Sequence, residues 1–556
     1  MVVEKGSDSP VVSQISPSDG SAAPSVDSGT KTAAPALGEA LDVYGDAATA
    51  EELGYVQRGL KSRHMQFMAI GGSIGTGLFL GIGGAFAKSG PLSVILGFSF
   101  TGCAVFAMMM CLGEMTTWLP LPGAIPQYCA RYVDPAMGFA VGWNNWYLAV
   151  IAICADLNAA AVLVQFWNDD INPAVWISII IVLIVCLNIF AVAIYGEAEF
   201  VFASIKILTI LGLLLMAFIV DLGGSPTGDR LGFRYWYNPG PAMKEVVATG
   251  HTGRFLGLFS TLVFAAFAYG GVEMIALAAG EAVDPRRNVP KAVKRLIWRI
   301  LIFYVLGSLA ISVLVPSNHS DLGSASPWVI AAQNANIRVL PHIINAVIIS
   351  SASSSANAFL FVGSRYLFGL AQNKQAPRIF LRCNKNGIPL YAIAFTAMWS
   401  GLAYMSVSAG AAEVFQWFLR IGTVASLLTW CSITIAFLRF RKALAVQGID
   451  CDTLPFKSRF QPYTAWFALC FFAMIIVFNG WEIFTTGKWD VQDFITSYIG
   501  IPIYFGTYLL WKFWKRTSIV KPAEADLWTG KSSLDAMTWP VKTPRNFLER
   551  LWMWVV

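Results

Sequence analysis

Residues 69–79 read AIGGSIGTGLF, and this stretch decides the fold. Glycines at 71, 72, 75 and 77 interrupt an apolar run that would otherwise continue as helix, and Gly81 follows one turn later. Each interior glycine costs about 0.8–1 kcal/mol of helix propensity relative to alanine, so the cluster predicts local unwinding. A helix that unwinds in apolar surroundings frees backbone N–H and C=O groups, and something polar must answer them.

The surroundings are a membrane. Of 556 residues 56% are hydrophobic and 13% charged, whereas soluble domains carry roughly 25% charged residues. Apolar stretches of about 20 residues, long enough to cross a hydrocarbon core, recur twelve times. The predicted spans are 66–87, 92–115, 137–166, 174–194, 199–220, 258–280, 296–316, 341–370, 389–409, 412–437, 463–484 and 491–514. They are too long and too uniformly apolar for the alternating strands of a β-barrel. The expected class is therefore an all-α polytopic membrane protein with a transmembrane domain over residues 61–516. Residues 1–60, rich in Ser, Ala, Gly, Pro and acids, read as a disordered cytosolic tail, and 517–556 as a cytosolic C-terminal tail.

Charge reports orientation. The segments on the N-terminal side include loops with Arg286, Arg287, Lys291, Lys294 and Arg295, and with Arg439, Arg441, Lys442, Lys457 and Arg459. The opposite side holds only Lys88, Arg230, Arg234, Lys244, Arg254, Arg338 and Lys488, which places both termini in the cytosol. The net charge of +6 thus needs no nucleic acid. The nine cysteines avoid the outer loops, so no disulfide framework is implied, and the sequon Asn318-His319-Ser320 falls outside. The four histidines form no cluster and TGKSS at 529–533 lacks the upstream glycine of a phosphate loop. Neither an enzyme, a metal nor a cofactor is expected.

A second break appears in span 6, where FAAFAYGGVEMIALAAGE at 264–281 pairs Gly270 with Gly271 and then embeds Glu273. Five crossings separate the two interrupted spans, so they run antiparallel, as in a five-plus-five inverted repeat. Close packing of small residues is the alternative for one glycine pair; a matching break five spans later favours a polar site at the midplane. Around Ser73, Ile74, Gly75, Thr76 and Gly77 the unwound amides and the positive end of the outer half-helix suit a carboxylate. Around Phe267, Ala268, Tyr269 and Gly271 freed carbonyls suit an ammonium. A ligand with both charges close together is an α-amino acid.

Other polar residues lie deep in apolar runs. Lys206 falls about two turns inside span 5, where its ammonium either replaces a coupling cation or carries a proton, unless it snorkels to the interface. Asp156 in span 3 and Glu273 in span 6 could take a proton or contact substrate, or form a static ion pair with Lys206. SSASSSANAFL at 350–360 is unusually polar, and Ser354, Ser355 and Asn357 either line the cavity or hydrogen-bond between helices.

RHMQFMAIGGSIGTGLFLGIG at 63–83, GEMTTWLPLPGAIPQYCARYVDPAMGFAVGWN at 113–144, YGEAEFVFASIKI at 195–207, FAYGGVEMIALAAGEAVDPRRNVPKAV at 267–293 and SSANAFLFVGSRYLFGLAQNKQAP at 354–377 occur in that order. In these blocks the chain resembles the fungal amino-acid permeases of the yeast amino-acid transporter group, in the amino acid–polyamine–organocation superfamily. The resemblance implies the twelve-helix leucine-transporter fold with broken helices 1 and 6, and proton-coupled symport of L-amino acids across the plasma membrane. It implies that the carboxylate rests on Gly75–Gly77, the amino group on carbonyls from Phe267 to Tyr269, and that Lys206 stands where sodium-driven relatives hold a metal ion. It also marks Glu273 as near the substrate. Where many relatives carry glutamate in the span 3 motif, this chain has Asp156. Neutral substrates, proline included, are expected before acidic or basic ones, and an amino-acid receptor with little transport is the rival reading. The expected partners are the substrate, the proton and the bilayer, with ubiquitination and trafficking machinery acting on tail lysines such as Lys5 and Lys31.

Overall fold

The computed structural model describes residues 75–276 and 285–531, apart from 122, 169, 190–191, 385–386, 486, 488 and 530, together with 43–44, 56–57 and Asn546. Outside a two-residue antiparallel pairing of Val43–Tyr44 with Val56–Gln57, the described regular structure is helical.

Among the described residues seven helices are individually long and apolar enough to cross a membrane. They are Pro91–Trp118, Pro135–Val164, Gly196–Asp221, Arg286–Leu314, Leu340–Gln372, Leu390–Ala409 and Ala411–Val446, which correspond to spans 2, 3, 5, 7, 8, 9 and 10. Span 12 is a pair, Val491–Tyr498 and Gly500–Lys515, bent by 47°. Pro173–Ile189 and Tyr463–Phe478, shorter apolar helices, match spans 4 and 11. Of the two remaining predicted crossings, span 6 is interrupted and span 1 is described only from Gly75 onward.

Span 3 is the axis of the molecule. Asp134 caps its start, accepting from the Ala136 amide at 2.9 Å, with Pro135 in the first turn. The helix is buried on nearly every side and packs most extensively against spans 8 and 10. Spans 4, 5 and 9 form part of the outer surface, with Leu208, Leu215 and Val182 exposed. In lipid such apolar exposure has no hydrophobic cost.

Span 6 breaks where expected. Its helix Gly250–Ala268 ends with Tyr269 N–H on the Ala265 carbonyl at 3.1 Å, residues 269–273 form turns, and helix resumes at Met274. Gly271 takes φ +90°, a conformation that glycine alone adopts without strain. In span 1 the described chain begins with a bend at Gly75, passes through a π-helical turn Gly77–Gly81 and becomes α-helix over Ile82–Ser89. Residues 58–74, which carry the first glycines of the cluster, lie outside the described residues.

Three boundaries differ from the sequence expectation. Arg286, Arg287, Lys291, Lys294 and Arg295, assigned above to a loop, lie on the helix Pro285–Arg299 that continues into span 7. Hydropathy ends a span where charge begins, whereas a helix can run on past the hydrocarbon with its charges in the interface. Span 10 likewise continues to Val446 and carries Arg439, Arg441 and Lys442. The helix of span 5 starts at Val192 instead of 199, so Lys206 sits about four turns into it and is only 1% exposed. The described part of the C-terminal tail packs on the bundle: Val520 N–H donates to the Val133 carbonyl at 2.9 Å, and buried Leu527 accepts from Trp118 Nε1 at 3.0 Å.

Candidate functional site

The two interrupted helices touch. A Cβ placed on Gly77 would stand 2.7 Å from the Ala268 Cα and 3.1 Å from the Phe267 ring, so only glycine permits this approach. Where the first described residues of span 1 meet the turn of span 6 lies a small cavity. Gly75, Thr76 and Gly77 line it from span 1, and Phe267, Ala268 and Gly270 from span 6. Leu148, Ala152 and Asp156 of span 3, Ser355 and Phe359 of span 8, and Gly422 and Ser426 of span 10 complete the wall.

Asp156 supplies the charge. Thr76 Oγ1 donates to its Oδ1 at 2.7 Å, tying span 1 to span 3, and Ser355 lines the same cavity. The second oxygen, Oδ2, is buried and has no hydrogen-bond partner among the described residues. A buried acceptor left unpaired is costly, so this oxygen calls for a donor from a ligand or a proton. The carbonyls of span 6 are partly engaged: Phe267 O accepts from Gly270 N–H at 2.9 Å and Ala268 O from the Tyr304 hydroxyl at 3.1 Å. Each keeps a second lone pair.

Other expected site residues sit elsewhere. Tyr269 turns away from the cavity; its hydroxyl donates to the Phe98 carbonyl at 3.0 Å and its ring lies 4.2 Å from that of Tyr304. Glu273 is buried beyond the turn and accepts from Trp430 Nε1 at 3.1 Å. Gly271 forms the turn without lining the cavity. Lys206 is buried and does not line the cavity; it interacts electrostatically with Glu199 and Asp156. Ser354 donates to the two carboxylate oxygens of Glu199 at 3.1 and 3.2 Å, and Asn357 accepts from Asn188 Nδ2 at 2.8 Å. Ser355 alone of the three polar residues of span 8 lines the cavity. Ser73, Ile74, Lys5 and Lys31 lie outside the described residues.

Glu199 is the residue that sequence reasoning passed over. It is 1% exposed and stands two turns before Lys206 on the same helix. The pair of acids in YGEAEF was the available signal, hidden because span 5 was begun at this position. Thr76 thus bonds to Asp156 and Ser354 to Glu199, and Lys206 interacts electrostatically with both carboxylates.

A bundle of membrane helices with a polar cavity between two interrupted spans is the architecture of a secondary transporter. A solved structure of a manganese transporter from Eremococcus coleocola shares the fold, with a TM-score of 0.51 at 15% identity, covering 81% of this chain and 93% of that one. The family is specified by sequence. The amino acid permease profile matches residues 64–523. The chain is 41% identical to the proline-specific permease of Emericella nidulans, over 92% of this chain and 96% of the relative. It is 43% identical to the proline-specific permease of Saccharomyces cerevisiae, over 85% and 78%, and 40% identical to the dicarboxylic amino acid permease of that yeast, over 86% and 81%. The chain belongs to the amino acid permease family: it is a membrane-embedded amino-acid transporter and not an enzyme.

Proposed function

We propose that this permease carries a small neutral amino acid, proline foremost, into the cell with a proton, across the plasma membrane and with both termini cytosolic. The observation that carries the reading is the Asp156 carboxylate, which lines a cavity between spans 1 and 6 and keeps Oδ2 without a hydrogen-bond partner among the described residues. A substrate ammonium satisfies that oxygen, with the free lone pairs of the Phe267 and Ala268 carbonyls close by. The substrate carboxylate then faces the first amides of the outer half of span 1 and the positive end of its dipole.

Once both backbone charges are placed, the side chain meets Leu148, Ala152, Phe267 and Phe359. Among the described residues no cation lines this cavity and Asp156 is its only carboxylate, so an acidic or basic side chain would be buried there without a counter-charge, at a cost of several kcal/mol. The side-chain ring of proline is apolar and compact, and its secondary ammonium still offers two donors. Proline-specific permeases stand among the relatives with 41–43% identity, which supports the same choice.

Lys206 is the candidate for coupling. Held between Asp156 and Glu199, it can pass or withhold a proton according to whether the substrate ammonium occupies the Asp156 side. The helices that carry the cavity then alternate its access between the two sides.

Uptake of labelled proline into cells lacking their own proline uptake tests the proposal. Saturable accumulation, abolished by a protonophore and competed by proline more strongly than by aspartate or lysine, is the expected result. Binding without accumulation overturns it in favour of a sensing role; stronger competition by aspartate or lysine overturns the choice of substrate.

A further inference from the structure

The segment that leads into span 11 shapes a recess at the end of the bundle that the charge bias assigns to the cytosol. Arg441 from span 10 lines it together with Lys457, Ser458, Arg459, Phe460 and Gln461 from the connection. This lining holds three cations and no carboxylate. Lys294, on the helix that continues into span 7, adds a fourth cation beside it: its ammonium lies 5.5 Å from the centre of the Phe456 ring, one residue before Lys457.

Two carboxylates answer these cations in part. Glu114 takes two bonds from Arg441, but a guanidinium has five N–H donors and the pairing does not exhaust it. Asp452 pairs with Lys457 where both are exposed, and water or another anion readily takes such a partner's place. Arg459 is exposed and makes no ion pair among the described residues. Two of the four positive charges are therefore in excess over Glu114 and Asp452. The floor beneath them is fixed, because buried Ser458 donates its amide and its hydroxyl to Glu114, and Phe456 packs between Gly113 of span 2 and Val293.

The rim of the recess faces the bilayer. Phe460 is 78% exposed and takes φ +63°, a region that bulky residues seldom occupy, and the bend turns its ring out of the protein. Tyr463, Trp466 and Phe467 follow at i, i+3 and i+4 on the first turns of span 11 and are all exposed, so one aromatic face continues from the rim along the outside of the bundle. Tyr and Trp gather at the membrane–water boundary, which sets the recess at the level of the lipid headgroups. The cytoplasmic leaflet is the anionic one, and a basic recess at that level suits a phosphate. A free anion meets the same cations but gains nothing from the aromatic face.

We propose that this recess binds the phosphate of an anionic phospholipid of the cytosolic leaflet, held by Arg441, Lys457 and Arg459, with its acyl chains along Tyr463, Trp466 and Phe467. The leaflet follows from the orientation proposed above; the site itself depends neither on that orientation nor on which amino acid the central cavity takes. Because Arg441 serves both Glu114 and the phosphate, the bound lipid fastens the tie between spans 2 and 10.

Thermal unfolding of the detergent-purified full chain, titrated with dioleoylphosphatidylserine in mixed micelles, tests it. The midpoint is expected to rise saturably with this lipid, since a ligand that binds the folded state alone stabilises it, and to stay level with dioleoylphosphatidylcholine. Lys457→Gln with Arg459→Gln removes two exposed cations, keeps the bonds of Glu114, and is expected to raise the half-saturating phosphatidylserine about tenfold. Lys515→Gln with Arg516→Gln removes the same charge from the inner end of span 12 and is expected to keep the wild-type curve. No rise in the wild type, an equal rise with phosphatidylcholine, an unshifted curve in the first double variant or equal losses in both overturns the site. A full rise with inorganic phosphate alone assigns the recess to a free anion and overturns the lipid. Uptake is not read in any arm, so failure of the transport reading leaves the result unaffected.

Discussion

The two ends of the bundle are tied by different kinds of charge. At the end assigned to the cytosol, Glu114 is wholly buried and answered by four bonds. Arg441 donates through Nε at 2.9 Å and Nη2 at 2.8 Å, and Ser458 through its amide and its hydroxyl, both at 2.6 Å. This joins span 2, span 10 and the segment before span 11. The C-terminal segment lies over the same end, with Gln447 donating to the carbonyls of Pro522 and Ala525 at 3.1 and 2.8 Å. At the other end, Lys88–Glu482 and Arg420–Asp493 stand half in solvent.

The difference is one of exchangeability. Removing one partner of a buried pair leaves an uncompensated charge, typically at a cost of about 3–5 kcal/mol, whereas an exposed pair is worth about 0–1 kcal/mol. Water can replace the outer ties at little cost, whereas the Glu114 cluster can be parted only by moving as a unit or by finding new partners.

The largest expected effect therefore comes from the inner end. Arg441→Ala should lower the stability of the purified protein by about 3–5 kcal/mol, read as a fall in thermal midpoint and in surface delivery, because Glu114 stays buried and unpaired. A midpoint equal to the wild type would dissolve the contrast between the ends. Next, Gly77→Ala forces a methyl into the backbone of Ala268 and should cut uptake at least tenfold while delivery to the surface persists. Wild-type uptake in that variant would remove the contact of spans 1 and 6 from the mechanism.

Glu199→Gln should change the pH dependence of uptake more than its maximal rate, because Lys206 loses one of its two carboxylates. Glu199→Asp should restore part of the profile. An unaltered profile in Glu199→Gln would confine this residue to packing. The smallest effect on stability is expected from Asp493→Asn, less than about 1 kcal/mol, since Arg420 remains solvated when its partner is lost. A loss as large as that of Arg441→Ala would show that the outer pairs are structural after all.

The legibility of these features in the sequence follows from how local their causes are. The break in span 6 was readable because a glycine pair is a backbone signal; it needs no neighbour to be understood. Asp156, Lys206 and Glu273 were readable as embedded ionisable groups, which a membrane tolerates only with partners. Which of them would share the cavity was not readable. Asp156 lines it, Lys206 is buried without lining it, and Glu273 is turned to Trp430. The wall residues Leu148, Ala152, Phe359 and Gly422 carried no signal at all, because in lipid a helix is apolar on its outer face as well as its inner one. The usual contrast that reveals a buried stripe is then absent.

By itself the sequence determined the membrane class, the interrupted helices and their antiparallel relation, because apolar length, glycine placement and the parity of crossings are properties of the chain alone. Only the tertiary structure decided that Asp156 keeps one oxygen without a partner among the described residues, that Glu199 joins Asp156 in the electrostatic surroundings of Lys206, and that Lys88–Glu482 and Arg420–Asp493 stand at the end of the bundle away from Glu114. Each of these depends on the crossing of helices distant in sequence, and the distance between two side chains on different helices is set by packing, which no local pattern encodes.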